Sequence, residues 1–312
     1  MIEKHIILED IDLLSFYGAS NANLQMLKAL YPKLRIVARD NVMRVMGDET
    51  LIAEFEENVG KLSRHCSKYN QLKEEDIVHI LKGEAPQREC SQNVIVYSTQ
   101  GRPITARSKN QQRLVEAFNE KDMVFAIGPA GSGKTYTSIA LAVRALKNKE
   151  VRKIILSRPA VEAGEKLGFL PGDMKEKIDP YLQPLYDALE DMIPATRLQE
   201  MMEQKVIQIA PLAFMRGRTL NDAVVILDEA QNTTIPQLKM FLTRMGMNTK
   251  MVITGDITQV DLPHSAMSGL VNALQVLKDV KEISFIHMDK GDIVRHRLVT
   301  KIVEAYEHTD KN

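Results

Sequence analysis

The stretch Gly128-Pro129-Ala130-Gly131-Ser132-Gly133-Lys134-Thr135 carries glycine, lysine and a hydroxyl in the spacing G-x-x-x-x-G-K-[ST]. Each residue type has a job in that pattern. Glycines let the backbone curl until its N–H groups point inward at phosphate oxygens. A helix beginning at the lysine adds the partial positive charge of its N-terminus. Lys134 is placed to reach β- and γ-phosphates, and the Thr135 hydroxyl to ligate Mg²⁺. The apolar run Val124 to Ile127 precedes the loop, and apolar residues at helical spacing follow it (Ile139, Leu141, Ala142, Val143, Leu146). The expected ligand is therefore a nucleoside triphosphate with Mg²⁺.

Ala223-Val224-Val225-Ile226-Leu227-Asp228-Glu229-Ala230-Gln231 is an apolar strand pattern ending in two acids, the form of a Walker B strand. Asp228 is suited to hold Mg²⁺, partly through water. Glu229 is suited to orient and deprotonate an attacking water. The pair favours hydrolysis over phosphoryl transfer to a small molecule. A charge-stabilising arginine is also required. Arg295, in Asp292 to Leu298, is the first candidate, and Arg158, in Ser157-Arg158-Pro159, is the second. Arg216-Gly217-Arg218-Thr219 offers two more arginines. His296 falls in no metal-ligand spacing and reads as a packing residue.

Lys250 to Gln259 reads K-M-V-I-T-G-D-I-T-Q. Its T-G-D-x-x-Q resembles the third motif of superfamily-1 helicases, in which the glutamine senses the γ-phosphate and couples it to motion. Gln259 takes that place. The same superfamily sets an adenine-reading glutamine upstream of the phosphate loop, and Gln111 in Asn110-Gln111-Gln112-Arg113 matches it. The [NT]-K-x-D pattern of a GTPase is lacking from Asp289-Lys290-Gly291-Asp292, so ATP is expected rather than GTP.

The elements that must position these groups follow from the pattern between them. Short apolar strands are predicted at 123–127, 153–157, 206–209, 223–228, 250–254 and 283–287, with helices between most of them. Such alternation predicts a parallel sheet covered on both faces, with its ligand at the carboxyl ends of the strands. Ala160 to Gln204 is too long for a plain crossover and could cover the core or contact a partner.

Ahead of this core, residues 1–82 read as a small α/β unit. Ile6-Ile7-Leu8 and Leu13-Leu14 suggest a strand start and Asn23 to Tyr31 a helix. Leu34 to Ala38 and Asn41 to Met46 read as strands, and Glu49 to Tyr69 as a helix with Leu51, Ile52, Phe55, Val59 and Leu62 on one face. A further helix is expected at Glu74 to Leu81. The order is reminiscent of RNA-binding KH-type modules. Their G-x-x-G clamp is matched only by Gly18-Ala19-Ser20-Asn21, which lacks the second glycine. An interaction or packing domain without RNA contact stays open. Residues 83–106 are expected to be a linker (Gly83 to Cys90) and a hairpin (Val94 to Tyr97, Ile104-Thr105), and 107–312 the nucleotide-binding domain.

Composition narrows the classes. The chain has 312 residues, 44% hydrophobic and 26% charged, as in ordinary globular proteins. With 41 basic and 41 acidic side chains there is no net field to draw nucleic acid, so any such binding needs a local patch. The two cysteines, Cys66 and Cys90, are far apart and read as reduced thiols. Neither a signal-peptide layout nor a membrane-length apolar run is visible, so the expected compartment is the cytoplasm, without membrane contact. There is no tryptophan, which leaves base stacking to Phe, Tyr or His.

The motifs at 128–135, 157–173, 216–220, 226–232, 254–259 and 292–296, taken together, resemble the PhoH-like ATPases, and the likeness covers roughly residues 100 to 308. The N-terminal region resembles the bacterial branch that lacks a fused PIN-type nuclease domain. The resemblance implies an α/β protein with a RecA-like P-loop NTPase core behind a small, KH-like N-terminal domain. It implies cytoplasmic ATP and Mg²⁺ chemistry, with Lys134, Thr135, Asp228, Glu229 and Gln259 in the ATPase roles. It also implies a link to RNA, and to a metal-dependent endoribonuclease of ribosomal RNA maturation. Arg297 follows His296 where many members have proline, which leaves the choice between Arg295 and Arg297 open. A superfamily-1 helicase places ATP between two RecA-like domains, and this chain has room for one. The expectation is thus a homo-oligomer, a ring such as a hexamer, with arginine supplied by a neighbour. An RNA-remodelling ATPase and an ATP-gated adaptor that does not unwind both fit.

Overall fold

A computed structural model describes residues 2–9, 11–84, 93–159, 174–263, 266–294, 298–299 and 301–302. These fall into two compact units, Met1–Thr105 with Leu189–Gln204, and Ala106–Ala188 with Lys205–Asn312. The expected linker at Gly83 to Cys90 lies mostly outside the described residues, as does the part of the 157–173 motif from Ala160 onward.

The second unit is built on six parallel strands, β6 (Met123–Ile127), β7 (Lys153–Arg158), β8 (Ile207–Pro211), β9 (Ala223–Leu227), β10 (Lys250–Gly255) and β11 (Ile283–His287). Their order across the sheet is β11-β6-β10-β9-β7-β8, with parallel register throughout. β6 and β9 are apolar at every position and buried along their whole length, as expected where helices cover both faces. α6 (Lys134–Lys147) supplies Ile139, Leu141, Ala142 and Val143, all fully buried. Phe125 stacks on Phe285 with ring centroids 5.0 Å apart, and α9 (Ile235–Leu242) buries Phe241. Full burial of each such side chain stabilises the unit by about 1.5–3 kcal/mol.

The strand order is what builds the site. β10 lies between the strand that feeds the phosphate loop and the strand that ends in Asp228. This is the RecA-like arrangement of a P-loop NTPase. All the strands run the same way, so Ile127, Leu227 and Gly255 end at one edge.

The first unit contains the antiparallel sheet β1-β3-β2, formed by β1 (Ile2–Ile7), β2 (Arg35–Arg39) and β3 (Val42–Gly47). Leu13 and Leu14 do not begin a strand. They open α1 (Leu13–Tyr17), because the Asp12 carboxylate caps it by accepting from the Ser15 N–H at 2.8 Å and the Ser15 hydroxyl at 2.6 Å. Two helices, α1 and α2 (Ala22–Leu30), therefore separate β1 from β2 where one was expected. α3 (Glu49–Tyr69) packs Ile52, Phe55, Val59 and Leu62 into the core of the unit, and α4 (Glu74–Leu81) adds Ile77. The hairpin of β4 (Val94–Tyr97) and β5 (Pro103–Thr105) belongs to this unit as well. No described helix is long and apolar enough to cross a membrane.

Candidate functional site

The phosphate loop leaves β6 at Ile127. Gly131 (φ 83°) and Gly133 (φ 80°) occupy left-handed conformations that suit glycine. A Cβ at Gly128 would stand 2.5 Å from the Met288 carbonyl oxygen, so that position needs glycine for close approach. The loop is tied to its neighbours by the Gly128 N–H donating to the Gly255 carbonyl at 3.1 Å and by the Met288 N–H donating to Ile127 at 2.7 Å. Inside the loop the Ser132 hydroxyl donates to the Pro129 carbonyl at 2.8 Å.

Lys134 opens α6 and is nearly buried. Its ammonium donates to the carbonyls of Gly128 at 2.7 Å and Pro129 at 2.9 Å, which keeps the charge inside the loop. Burial pulls the Lys134 pKa below its ordinary value, and the nearby carboxylates of Asp256, Glu229 and Asp228 oppose that pull.

Asp228 is the hub of the second half. One of its oxygens, Oδ1, accepts from the Thr135 hydroxyl at 2.6 Å and from the Thr254 hydroxyl at 2.5 Å. The ends of β9 and β10 and the start of α6 thereby meet on one carboxylate. Glu229 follows in a left-handed conformation (φ 53°), unusual for a residue with a side chain. Its carboxylate is held from two sides. Arg158 Nη2 lies 3.3 Å from Oε1, and Gln231 Nε2 donates to Oε2 at 2.5 Å. Gln231 is 1% exposed, and its Oε1 accepts the Asp256 N–H at 3.0 Å. One amide thus joins the acid after β9 to the backbone after β10. Asp256 Oδ1 accepts from the N–H and hydroxyl of Thr258, while its buried Oδ2 has no hydrogen-bond partner among the described residues.

This donor set fits Mg²⁺. Threonine hydroxyls and carboxylates are hard oxygen ligands, and Mg²⁺ is usually held by one or two carboxylates together with substrate phosphates. Among the described residues no group of three or more His, Cys, Asp or Glu side chains could hold a metal by itself. Thr135 and Asp228 would hold the ion.

Gln111 is brought to the loop but is engaged by protein. It is 5% exposed. Its Oε1 accepts the Arg107 N–H at 2.7 Å, and its Nε2 donates to the Ser132 carbonyl at 3.0 Å. The amide expected to read adenine braces the phosphate loop in this structure. Beside it, Asn110 donates to Asp292 Oδ2 at 2.8 Å, and the same oxygen accepts the Asp289 N–H at 2.7 Å. Burial disfavours the ionised Asp292, but hydrogen bonds from Ser108, Asn110 and the backbone outweigh it and hold the carboxyl below its ordinary pKa. The conspicuous acid of D-I-V-R-H is therefore a strut between α5 (Lys109–Glu120) and the turn after β11.

The remaining candidates are dispersed. Gln259 is exposed on the turn after Asp256, tied by its backbone N–H to the Asp256 carbonyl at 3.1 Å. Its side chain makes no hydrogen bond among those described. Arg218 donates to Gln208 at 2.7 Å, on the β8 side. Arg295, His296 and Arg297 lie outside the described residues, so Arg158 is the named arginine seen at the carboxylates. Gln231 and Thr254 were not singled out as site residues from sequence. Their signal was a polar side chain embedded in a run of buried apolar residues, for Thr254, or four places beyond one, for Gln231.

A family model described as PhoH-like protein matches residues 103–307. The PhoH-like protein of Bacillus subtilis (strain 168) is 47% identical over 302 residues, covering 95% of this chain and 94% of that protein. Protein PhoH of Escherichia coli (strain K12) is 46% identical over 206 residues, 65% of this chain and 58% of that protein. Among solved structures, the large terminase of a thermophilic bacteriophage superposes with a TM-score of 0.38 at 13% identity, over 63% of this chain and 49% of that one, too distant to bear on function.

Proposed function

The chain belongs to the PhoH-like protein family, and from that footing we propose that it hydrolyses ATP with Mg²⁺ in work coupled to RNA. The observation that carries the hydrolytic reading is the meeting of Thr135 and Thr254 on Asp228, with Glu229 next along. It supports the reading of a metal-holding pair and a base at the mouth of a phosphate-binding loop.

The residues divide the work as follows. N–H groups of Gly128 to Thr135 and the Lys134 ammonium bind the β- and γ-phosphates. Thr135 and Asp228 would hold Mg²⁺, which would supply charge neutralisation when bound. Glu229, oriented by Gln231 and Arg158, takes the proton of a water whose oxygen attacks the γ-phosphorus. The bond to the bridging oxygen breaks, and ADP and inorganic phosphate leave. Arg158, or Arg295 supplied by a neighbouring copy, stabilises the charge that develops. Gln259 reads the γ-phosphate from the turn after β10.

The link to RNA is supported by the T-G-D-x-x-Q arrangement and by the single RecA-like sheet among the described residues, which suits assembly into a cytoplasmic ring. An ATP-gated adaptor that recruits an endoribonuclease or a ribosome factor without unwinding is the rival reading. Lys134→Ala should abolish turnover, and Glu229→Gln should keep nucleotide binding while stopping hydrolysis. Normal turnover by Glu229→Gln would overturn the assignment of the base. RNA-stimulated turnover with strand separation favours remodelling. Turnover indifferent to RNA, with nucleotide-dependent capture of a nuclease, favours the adaptor.

A further inference from the structure

The proposed base is not free to take a proton from water in this structure. Both oxygens of the Glu229 carboxylate face donors. Arg158 Nη2 lies 3.3 Å from Oε1, and Gln231 Nε2 donates to Oε2 at 2.5 Å. Glu229 also sits in a left-handed conformation (φ 53°) that residues with side chains rarely adopt. Strained residues of this kind persist where their surroundings fix them, and they gather at switch regions.

The two donors differ in kind. Gln231 is buried and neutral, and its other end is fixed by the Asp256 N–H. Arg158 is charged and ends β7, beside the start of the acidic pair, since the Asp228 N–H donates to the Ser157 carbonyl at 2.9 Å. Its Nη1 donates to the Tyr181 carbonyl of α7 (Met174–Met192) at 2.9 Å, the length of a firm hydrogen bond. The 3.3 Å contact to Glu229 is longer than the roughly 2.7–2.9 Å of a strong charge-assisted bond. The guanidinium thus hangs from α7 by one nitrogen and reaches the carboxylate more loosely with the other. Side-chain exposures of 17% for Arg158 and 35% for Glu229 leave the pair partly open, so packing does not lock it. The Glu229 carboxylate in turn lies close enough to favour the charged form of Lys134, the residue assigned to the β- and γ-phosphates. A γ-phosphate seated on Lys134 therefore enters the same field, as a second acceptor that suits a guanidinium.

We propose that Arg158 is a γ-phosphate-gated clamp on Glu229. Without nucleotide, or with ADP, the guanidinium covers Oε1 and keeps the base from water. When a triphosphate binds, Arg158 turns about its Tyr181 anchor onto a γ-phosphate oxygen and uncovers Oε1. Gln231 keeps Oε2, so the carboxylate holds the direction that Arg158 and Gln231 set together beforehand. Arg158 then supplies, from the same chain, positive charge for the transition state. The inference rests on the proposed ATPase reading and adds its regulation, a base that is exposed only once the γ-phosphate is in place.

Crystal structures of the full wild-type chain, one with Mg²⁺ and ADP and one with Mg²⁺ and the β,γ-imido analogue of ATP, test the exchange directly. The Arg158–Glu229 pair should persist with ADP. With the analogue it should be broken, the guanidinium lying on the γ-phosphate with its bond to Tyr181 kept. Titration calorimetry with the same two nucleotides gives the energetic readout. Arg158→Gln should lower the preference for the analogue over ADP about tenfold or more, as expected for loss of a charge-assisted contact to phosphate. A merely structural brace would not move that ratio. The drop should persist in the Glu229→Gln background, where no carboxylate is left to repel the phosphate. A pair kept in the analogue complex, or broken in the ADP complex, would refute the clamp. So would a ratio that Arg158→Gln leaves unchanged, or changes only while Glu229 is present. Those results would leave the ATPase reading standing if the wild-type chain turns over ATP, whereas a wild-type chain that binds neither nucleotide would refute both.

Discussion

Gln231→Leu removes one amide and should uncouple two strand ends at once. Gln231 is buried, donates to Glu229 Oε2 at 2.5 Å and accepts the Asp256 N–H at 3.0 Å. Leucine has similar bulk, so the core around it stays filled. The bond to Glu229 has a charged acceptor, a type worth about 1.5–3 kcal/mol. If that bond serves to aim the carboxylate at water, its loss appears in the transition state and not in nucleotide binding. At about 1.36 kcal/mol per tenfold, kcat should fall roughly 10- to 150-fold. KM should change little, because the loop and Lys134 are untouched. The unpaired Asp256 N–H adds a stability loss of about 1–3 kcal/mol, which urea denaturation would read separately. The assay is steady-state ATP turnover with Mg²⁺, alongside binding of a fluorescent ATP analogue. A kcat within threefold of wild type in a folded variant would refute the positioning role, as would an effect confined to KM.

The pH dependence of nucleotide binding follows from Lys134. Its free-protein pKa is pulled below the ordinary 10.5 by burial, and a bound polyphosphate favours the charged form, so the bound pKa is higher. Affinity should hold below the free pKa and decline as pH climbs through it, beginning before pH 10.5. Titration of a non-hydrolysable analogue with circular dichroism as a fold control checks this, and undiminished affinity through that value would contradict it. Gly133→Ala forces a side chain onto φ 80° and sets its Cβ 2.8 Å from Gln111 Nε2. It should destabilise the ATPase unit by about 1–2 kcal/mol from conformation and weaken analogue binding as the Gln111 brace shifts. Denaturation midpoints and binding measured together would show whether either change fails to appear.

Much of the ATPase unit was legible in the chain because its signals are local. A buried parallel strand is a short apolar run, and each of the six ran close to its expected span. The phosphate loop and the acids after β9 are contiguous in sequence, so their chemistry could be read where they stand. The N-terminal unit was less legible. α1 has five residues, too few to display a helical period, and its formation depends on the Asp12 cap.

What the sequence by itself determined, then, was which groups could handle a triphosphate and that they would end parallel strands. Only the tertiary structure decided which of them touch. Thr135 and Asp228 are 93 residues apart and meet through a hydroxyl. Thr254 joins them because β10 is inserted between β6 and β9. Gln231 reaches both Glu229 and Asp256 for the same reason, and Asn110 finds Asp292 across 182 residues. Strand order is set by how whole faces bury together, a property no short stretch contains. Gln111 shows the other side of that rule, since the amide that local pattern marks for adenine is turned by its neighbours onto the phosphate loop.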